Sequence, residues 1–159
     1  MSRVALVVII ILVVIAIVVG LFLVFMGGGN VNIPGQKTTI SPGGTTFKIQ
    51  GMTVEVLQPG NGKETKVGDT VTVNYKGMLQ DGKVFDSSYD RNVPFTFPLK
   101  ENTVISGFYL GTLGMKVGEK RKLTIPPEMG YGENGFLAIP ANSTLIFEVE
   151  LLGISAAAQ

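Results

Sequence analysis

A chain of 159 residues carrying 13 Lys plus Arg against 12 Asp plus Glu has room for one compact domain and a further segment. It contains no cysteine and no histidine, which excludes disulfides, thiol nucleophiles, zinc held by thiolate or imidazole, and a Ser-His-Asp triad. The net charge is +1; nucleic acid would want a basic face, and the one short basic run, Lys120-Arg121-Lys122, reads as a solvated strand face.

The mean hydropathy of +0.37 is high for a soluble protein, and its source is local. Residues 4–26 are an unbroken apolar run. As a helix rising about 1.5 Å per residue this run reaches roughly 34 Å, enough to cross a hydrocarbon core of about 30 Å, and a lone segment in lipid must be helical. The competing reading, a cleaved signal peptide, needs an apolar run of about 7–15 residues and a small-residue cleavage site; this run is longer and is followed only by Gly27, Gly28 and Gly29. The segment is therefore expected to be a single transmembrane anchor in contact with the lipid bilayer. Arg3 precedes it and Lys37 is the first basic residue after it, so the positive-inside bias places the globular part on the extracytoplasmic or lumenal side. Residues 27–46 are dense in Gly, Pro, Thr and Asn and read as a flexible linker with an end-to-end distance of about 25 Å.

Residues 47–154 are long enough to bury a core, and 155–159 are left as a tail. Period-two alternation marks strands: Met52, Val54 and Val56; Val71, Val73 and Tyr75; Leu123 and Ile125; Leu145, Phe147, Val149 and Leu151. Turn signals separate them at Pro59-Gly60-Asn61-Gly62, Asp81-Gly82, Val117-Gly118-Glu119 and Pro126-Pro127. One stretch breaks the pattern, with apolar residues at Ile105, Phe108, Tyr109 and Leu113, Ser106 as a candidate N-cap and Gly114 as a stop. Its three glycines make it a poor helix, each costing about 1 kcal/mol relative to Ala. Burial must hold it, so it is expected to lie under a curved antiparallel sheet.

Residues 81–97 read DGKVFDSSYDRNVPFTF. Asp86 follows Phe85 directly, Arg91 stands five residues on, and Phe95 and Phe97 share one face of a strand. A carboxylate taken out of water needs a cation and hydrogen-bond donors, so an Asp and an Arg beside aromatics suggest a pocket with one polar corner. A solvated pair on a surface loop is the other reading of this stretch alone.

Five blocks decide between them. TVNYKGML, DGKVFDSSYDRNVPFTF, VISGF, KLTIPPEMGYG and IPANSTLIFEVELL, in this order across about residues 50–154, resemble the FKBP family, the macrolide-binding immunophilins, which are peptidyl-prolyl cis-trans isomerases. The resemblance implies an α+β fold, a five-stranded antiparallel half-barrel wrapped around one short helix. It also implies a pocket walled by Tyr75, Phe85, Phe95, Val104, Ile105, Phe108, Tyr131, Ile139 and Phe147. Asp86 would form its polar corner, held by Tyr75 and Arg91. The Ile105 amide and the Tyr131 hydroxyl would donate to substrate carbonyls, which makes Asp86, Tyr131, Phe85 and Ile105 the catalytic candidates. Many members carry Trp where this chain has Phe108. The loop 132–140 is one residue shorter than the common pattern, with Phe136 and Leu137 near the position of a frequent His. Taken alone, Tyr75, Val104 and Phe147 fit equally well as core side chains.

The function implied is isomerisation of X-Pro bonds in protein folding, with macrolides as ligands by resemblance and no cofactor. The alternative is a proline-peptide binding or chaperone module at a membrane with weak turnover or none, suggested by Phe108 and the altered loop.

Overall fold

The computed structural model of the protein describes residues 39–41 and 44–155. The expected anchor at residues 4–26, most of the expected linker and all but the first residue of the tail lie outside them. Among the described residues no helix is long and apolar enough to cross a membrane.

Eight strands form one sheet: β1 Thr39–Ser41, β2 Gly44–Ile49, β3 Met52–Gln58, β4 Thr70–Leu79, β5 Val84–Ser87, β6 Phe95–Pro98, β7 Lys120–Ile125 and β8 Leu145–Ser155. Two helices interrupt them, α1 Ser88–Arg91 and α2 Ser106–Thr112, with 3-10 turns at Pro127–Met129 and Gly132–Asn134. The strand order is β1-β2-β3-β7-β8-β4-β5, with β6 also on β4, and every pairing is antiparallel.

Among the described residues, the expected five strands and one short helix are thus corrected to eight strands and two short helices. Part of the difference lies between Asp81 and Pro98. There β5 and β6 pair with opposite ends of β4, and α1 stands between them. The rest lies at the N-terminal side, where β1 and the start of β2 fall within the segment read as linker. The density of Gly and Pro there masked the β-branched Thr39, Ile40, Thr45 and Thr46, which suit a pleated strand.

Alternation gives the sheet two faces. Val71, Val73, Tyr75 and Gly77 of β4 and Leu145, Phe147, Val149 and Leu151 of β8 are buried. On the outer face Lys122 stands between Glu55 and Glu148 on the neighbouring strands, and Lys120 pairs with Glu150 at 3.4 Å. The basic run is therefore split: Lys120 and Lys122 point outward, whereas Arg121 is buried, 6% exposed. Arg121 donates to Glu119 at 2.6 Å and to the carbonyls of Gly111, Leu113 and Gly114 at 2.9, 3.1 and 2.9 Å. It thereby satisfies the orphan carbonyls at the end of α2.

Helix α2 survives its glycines because they face β7. A methyl at Gly107 would lie 2.4 Å from Ile125, and one at Gly111 would lie 2.4 Å from Leu123. Their bareness lets the helix sit directly on the sheet. Ser106 is the first helical residue rather than the cap, which is Ile105; the Ser106 hydroxyl donates to the Met129 carbonyl at 3.2 Å.

Candidate active site

The inner face gathers aromatic rings from five parts of the chain. Tyr75 comes from β4, Phe85 from β5, Phe95 and Phe97 from β6, Phe108 from α2 and Phe147 from β8. Tyr75 meets Phe95 and Phe108 edge to face, both at 5.8 Å between centroids, and Phe108 meets Phe147 at 5.2 Å. Phe85 stands edge-on to Phe147 at 5.5 Å. Such edge contacts match the ring quadrupoles. Gly77 makes the arrangement possible: a methyl there would lie 2.7 Å from the Phe85 ring and 2.9 Å from Phe147. The register of β5 also shifts between the partners of Gly77 and Met78, leaving Phe85 as the extra residue of a bulge, a device that re-aims side chains.

All of these rings but Phe97 border an open cavity of about 340 Å³ lined by Tyr75, Phe85, Asp86, Phe95, Thr103, Val104, Ile105, Phe108, Tyr131 and Phe147. A second cleft of about 360 Å³ shares Phe85, Asp86 and Tyr131 and continues along Phe136, Leu137, Ala138 and Ile139. Ile139, expected in the main pocket, lines this second cleft. Arg91 lines neither and acts on the cavity only through Asp86 and Tyr75. Thr103 is a lining residue that sequence reasoning missed: a loop threonine carries no periodic or chemical signal of its own. Phe108 closes the interior side, 4% exposed.

The polar corner follows from α1. Ser87 caps this single turn, accepting from the Asp90 amide at 3.3 Å, and Asn92 ends it at φ 54. Ser88 pins the turn to β4 by accepting from the Tyr75 amide at 2.9 Å. Arg91 is thereby carried back over Asp86. It donates to the Asp86 carboxylate, as does the Tyr75 hydroxyl, and its Nη2 donates to the Tyr75 oxygen at 2.9 Å. The pair lies at the mouth rather than in the interior: Asp86 and Arg91 side chains are 40% and 50% exposed.

Burial pushes the Asp86 carboxyl toward the neutral form, but hydrogen bonds from Tyr75 and Arg91 outweigh it and hold the pKa below its usual 3.8. Burial and the neighbouring Asp86 raise the pKa of Tyr75 above 10.0. Burial and the charge of Asp86 do the same for Tyr131. The corner is therefore an anion facing neutral phenols at neutral pH. Among the described residues, the Ile105 amide and the Tyr131 hydroxyl have no protein acceptor, and both groups belong to residues that line the cavity. No group of three or more acidic, His or Cys side chains there is placed to hold a metal.

A family profile described as FKBP-type peptidyl-prolyl cis-trans isomerase matches residues 61–152. FK506-binding protein 1A of Neurospora crassa is 54% identical over 112 residues, covering 69% of this chain and 93% of that protein. The isomerase FkpA of Escherichia coli strain K12 is 50% identical over 114 residues, 72% of this chain but 42% of FkpA. The crystal structure of FkpA from Escherichia coli superposes with a TM-score of 0.67 at 47% identity, covering 74% of this chain and 54% of that one. With the profile spanning more than half of its length and a relative matched almost end to end, the chain belongs to the FKBP-type peptidyl-prolyl cis-trans isomerases.

Proposed function

We propose that this isomerase works by desolvation and aimed hydrogen bonds in the aromatic cavity, at the surface of a membrane to which residues 4–26 anchor it. Rotation about an X-Pro bond breaks amide resonance, with a barrier of about 18–20 kcal/mol. The planar imide carries a larger dipole than the twisted one, so a dry apolar box disfavours the ground state more than the transition state. An acceleration of about 10⁶ asks for about 8 kcal/mol. In this reading Phe85, Phe95, Phe108 and Phe147 wall the proline ring with Tyr75 and Val104. The Ile105 amide and the Tyr131 hydroxyl donate to the flanking carbonyls, and Asp86 faces the rotating imide.

The observation that supports this reading is the coincidence, on one aromatic cavity, of an ionised carboxylate and two donors that have no acceptor among the described residues. A macrolide ligand is expected to occupy the same space and compete with a proline peptide. The test is isomerisation of a proline peptide by the full chain with and without macrolide; acceleration that macrolide does not suppress would contradict it. The anchor reading rests on the apolar run and the charge bias of the sequence. Protease protection in intact membranes tests it, with the domain shielded from a protease added on the cytoplasmic side.

The binding-module reading gains one observation. Phe136, Leu137 and Val93 are 53%, 92% and 61% exposed, the first two beside the cavity. Suppression of aggregation that persists in an isomerisation-dead variant would favour it.

A further inference from the structure

Tyr131 is the phenol that the proposed mechanism uses, and its positioning matters to the reaction only on that reading. Its hydroxyl has no protein hydrogen-bond partner among the described residues, so no polar contact there fixes the ring. The constraint comes from the other side. Phe136 stacks on Tyr131 with centroids 5.0 Å apart and planes at 11°.

Phe136 is held in turn by its own backbone. Its amide donates to the Ile139 carbonyl at 3.0 Å and its carbonyl accepts from the Ile139 amide at 2.8 Å, which closes a two-residue turn. Ile139, 6% exposed, ties that turn to the core. The base is closed by Asn142, whose amide donates to the Gly132 carbonyl at 2.9 Å. Gly135 has φ +64 and no room for a Cβ, which would lie 2.4 Å from the Ile139 oxygen. Leu137, at the tip, has φ +50, a conformation unfavourable for leucine. Such strain persists only where the surroundings impose it, and here it accompanies a turn that brings the Phe136 ring back onto Tyr131.

We infer that Phe136 is a positioning residue of the isomerase reaction: its ring face fixes the direction in which the Tyr131 hydroxyl donates into the cavity. Phe136 also walls the second cleft, and a residue that touched substrate directly would couple differently.

A double-mutant cycle on the full chain separates the two, with kcat and KM measured on a proline peptide. Phe136→Ala is expected to lower kcat by about three- to tenfold, the range of a lost aromatic pair, with KM within about twofold. Phe136→Tyr keeps the stack and the rate. In a Tyr131→Phe background, Phe136→Ala changes kcat by less than about twofold. The inference is overturned if the two losses multiply, if KM carries the loss, or if Phe136→Tyr is as slow as Phe136→Ala. Should Tyr131→Phe prove silent while Asp86→Val is impaired, the role of Tyr131 falls with the inference and the cavity reading stands. If Phe136→Ala does not fold, Phe136→Leu carries the same cycle.

Discussion

Two arginine–carboxylate pairs serve this domain in opposite settings. The side chains of Arg121 and Glu119 are each 7% exposed, and those of Arg91 and Asp86 are 50% and 40% exposed. The buried pair is tied into the framework: Arg121 also binds three carbonyls at the end of α2, while Glu119 accepts from the Lys116 amide at 2.9 Å. Its burial keeps it from a ligand, and it fixes the helix that carries Phe108. The exposed pair sets the charge of Asp86 yet leaves that residue on the wall of the cavity. Burial makes such a pair architectural; exposure leaves it available to a substrate.

The contrast can be broken most forcefully at Arg121. Arg121→Ala strands Glu119 and the carbonyls of α2, and breaking a buried pair costs about 3–5 kcal/mol; urea unfolding would read it. Next comes Gly111→Ala, which drives a methyl into Leu123 and is expected to cost about 1–3 kcal/mol by the same measurement. At the exposed pair, Asp86→Val is expected to leave the thermal midpoint nearly unchanged, because ion pairs in solvent contribute little to stability. A large fall in that midpoint would show that the two pairs do not differ as described.

The smallest expected effect is that of neutral pH. Asp86 has a lowered pKa, so its pairing is complete above the usual 3.8 and is lost only as pH falls through the still lower folded value. Tyr75 and Tyr131 are raised above 10.0, and the chain has no histidine. The isomerisation rate is therefore expected to be flat between about pH 5 and pH 8. A bell-shaped profile in that window would require a titrating group that the cavity does not show.

The two pairs also mark where sequence reasoning reached and where it stopped. The spacing of Phe85, Asp86 and Arg91 suggests a polar corner among aromatics, because an acid beside apolar side chains needs a cation nearby, but it fits a solvated surface pair as well, and only the resemblance decides between them. That corner exists, at the mouth of the cavity. Composition misled at Lys120-Arg121-Lys122. Three adjacent cations look solvated, but strand alternation sends the middle one inward, where only tertiary contacts supply its acceptors. Gly107 and Gly111 looked like defects of a helix; their use is visible only once Ile125 and Leu123 lie against them. The bulge at Phe85 depends on register, which a one-residue slip reverses, and the place of Ile139 depends on the turn it closes with Phe136. Part of the eight-strand count was hidden by Gly and Pro around the β-branched residues of 39–46.

The central claim is that the aromatic cavity with Asp86 at its mouth lowers the barrier to proline rotation. Its most direct test is the isomerisation rate of a proline peptide with the full chain and with Asp86→Val at equal concentration. The account predicts clear acceleration by the parent chain and a loss of about tenfold or more in the variant, with its unfolding midpoint retained. A variant that folds normally and catalyses at the parental rate would contradict it.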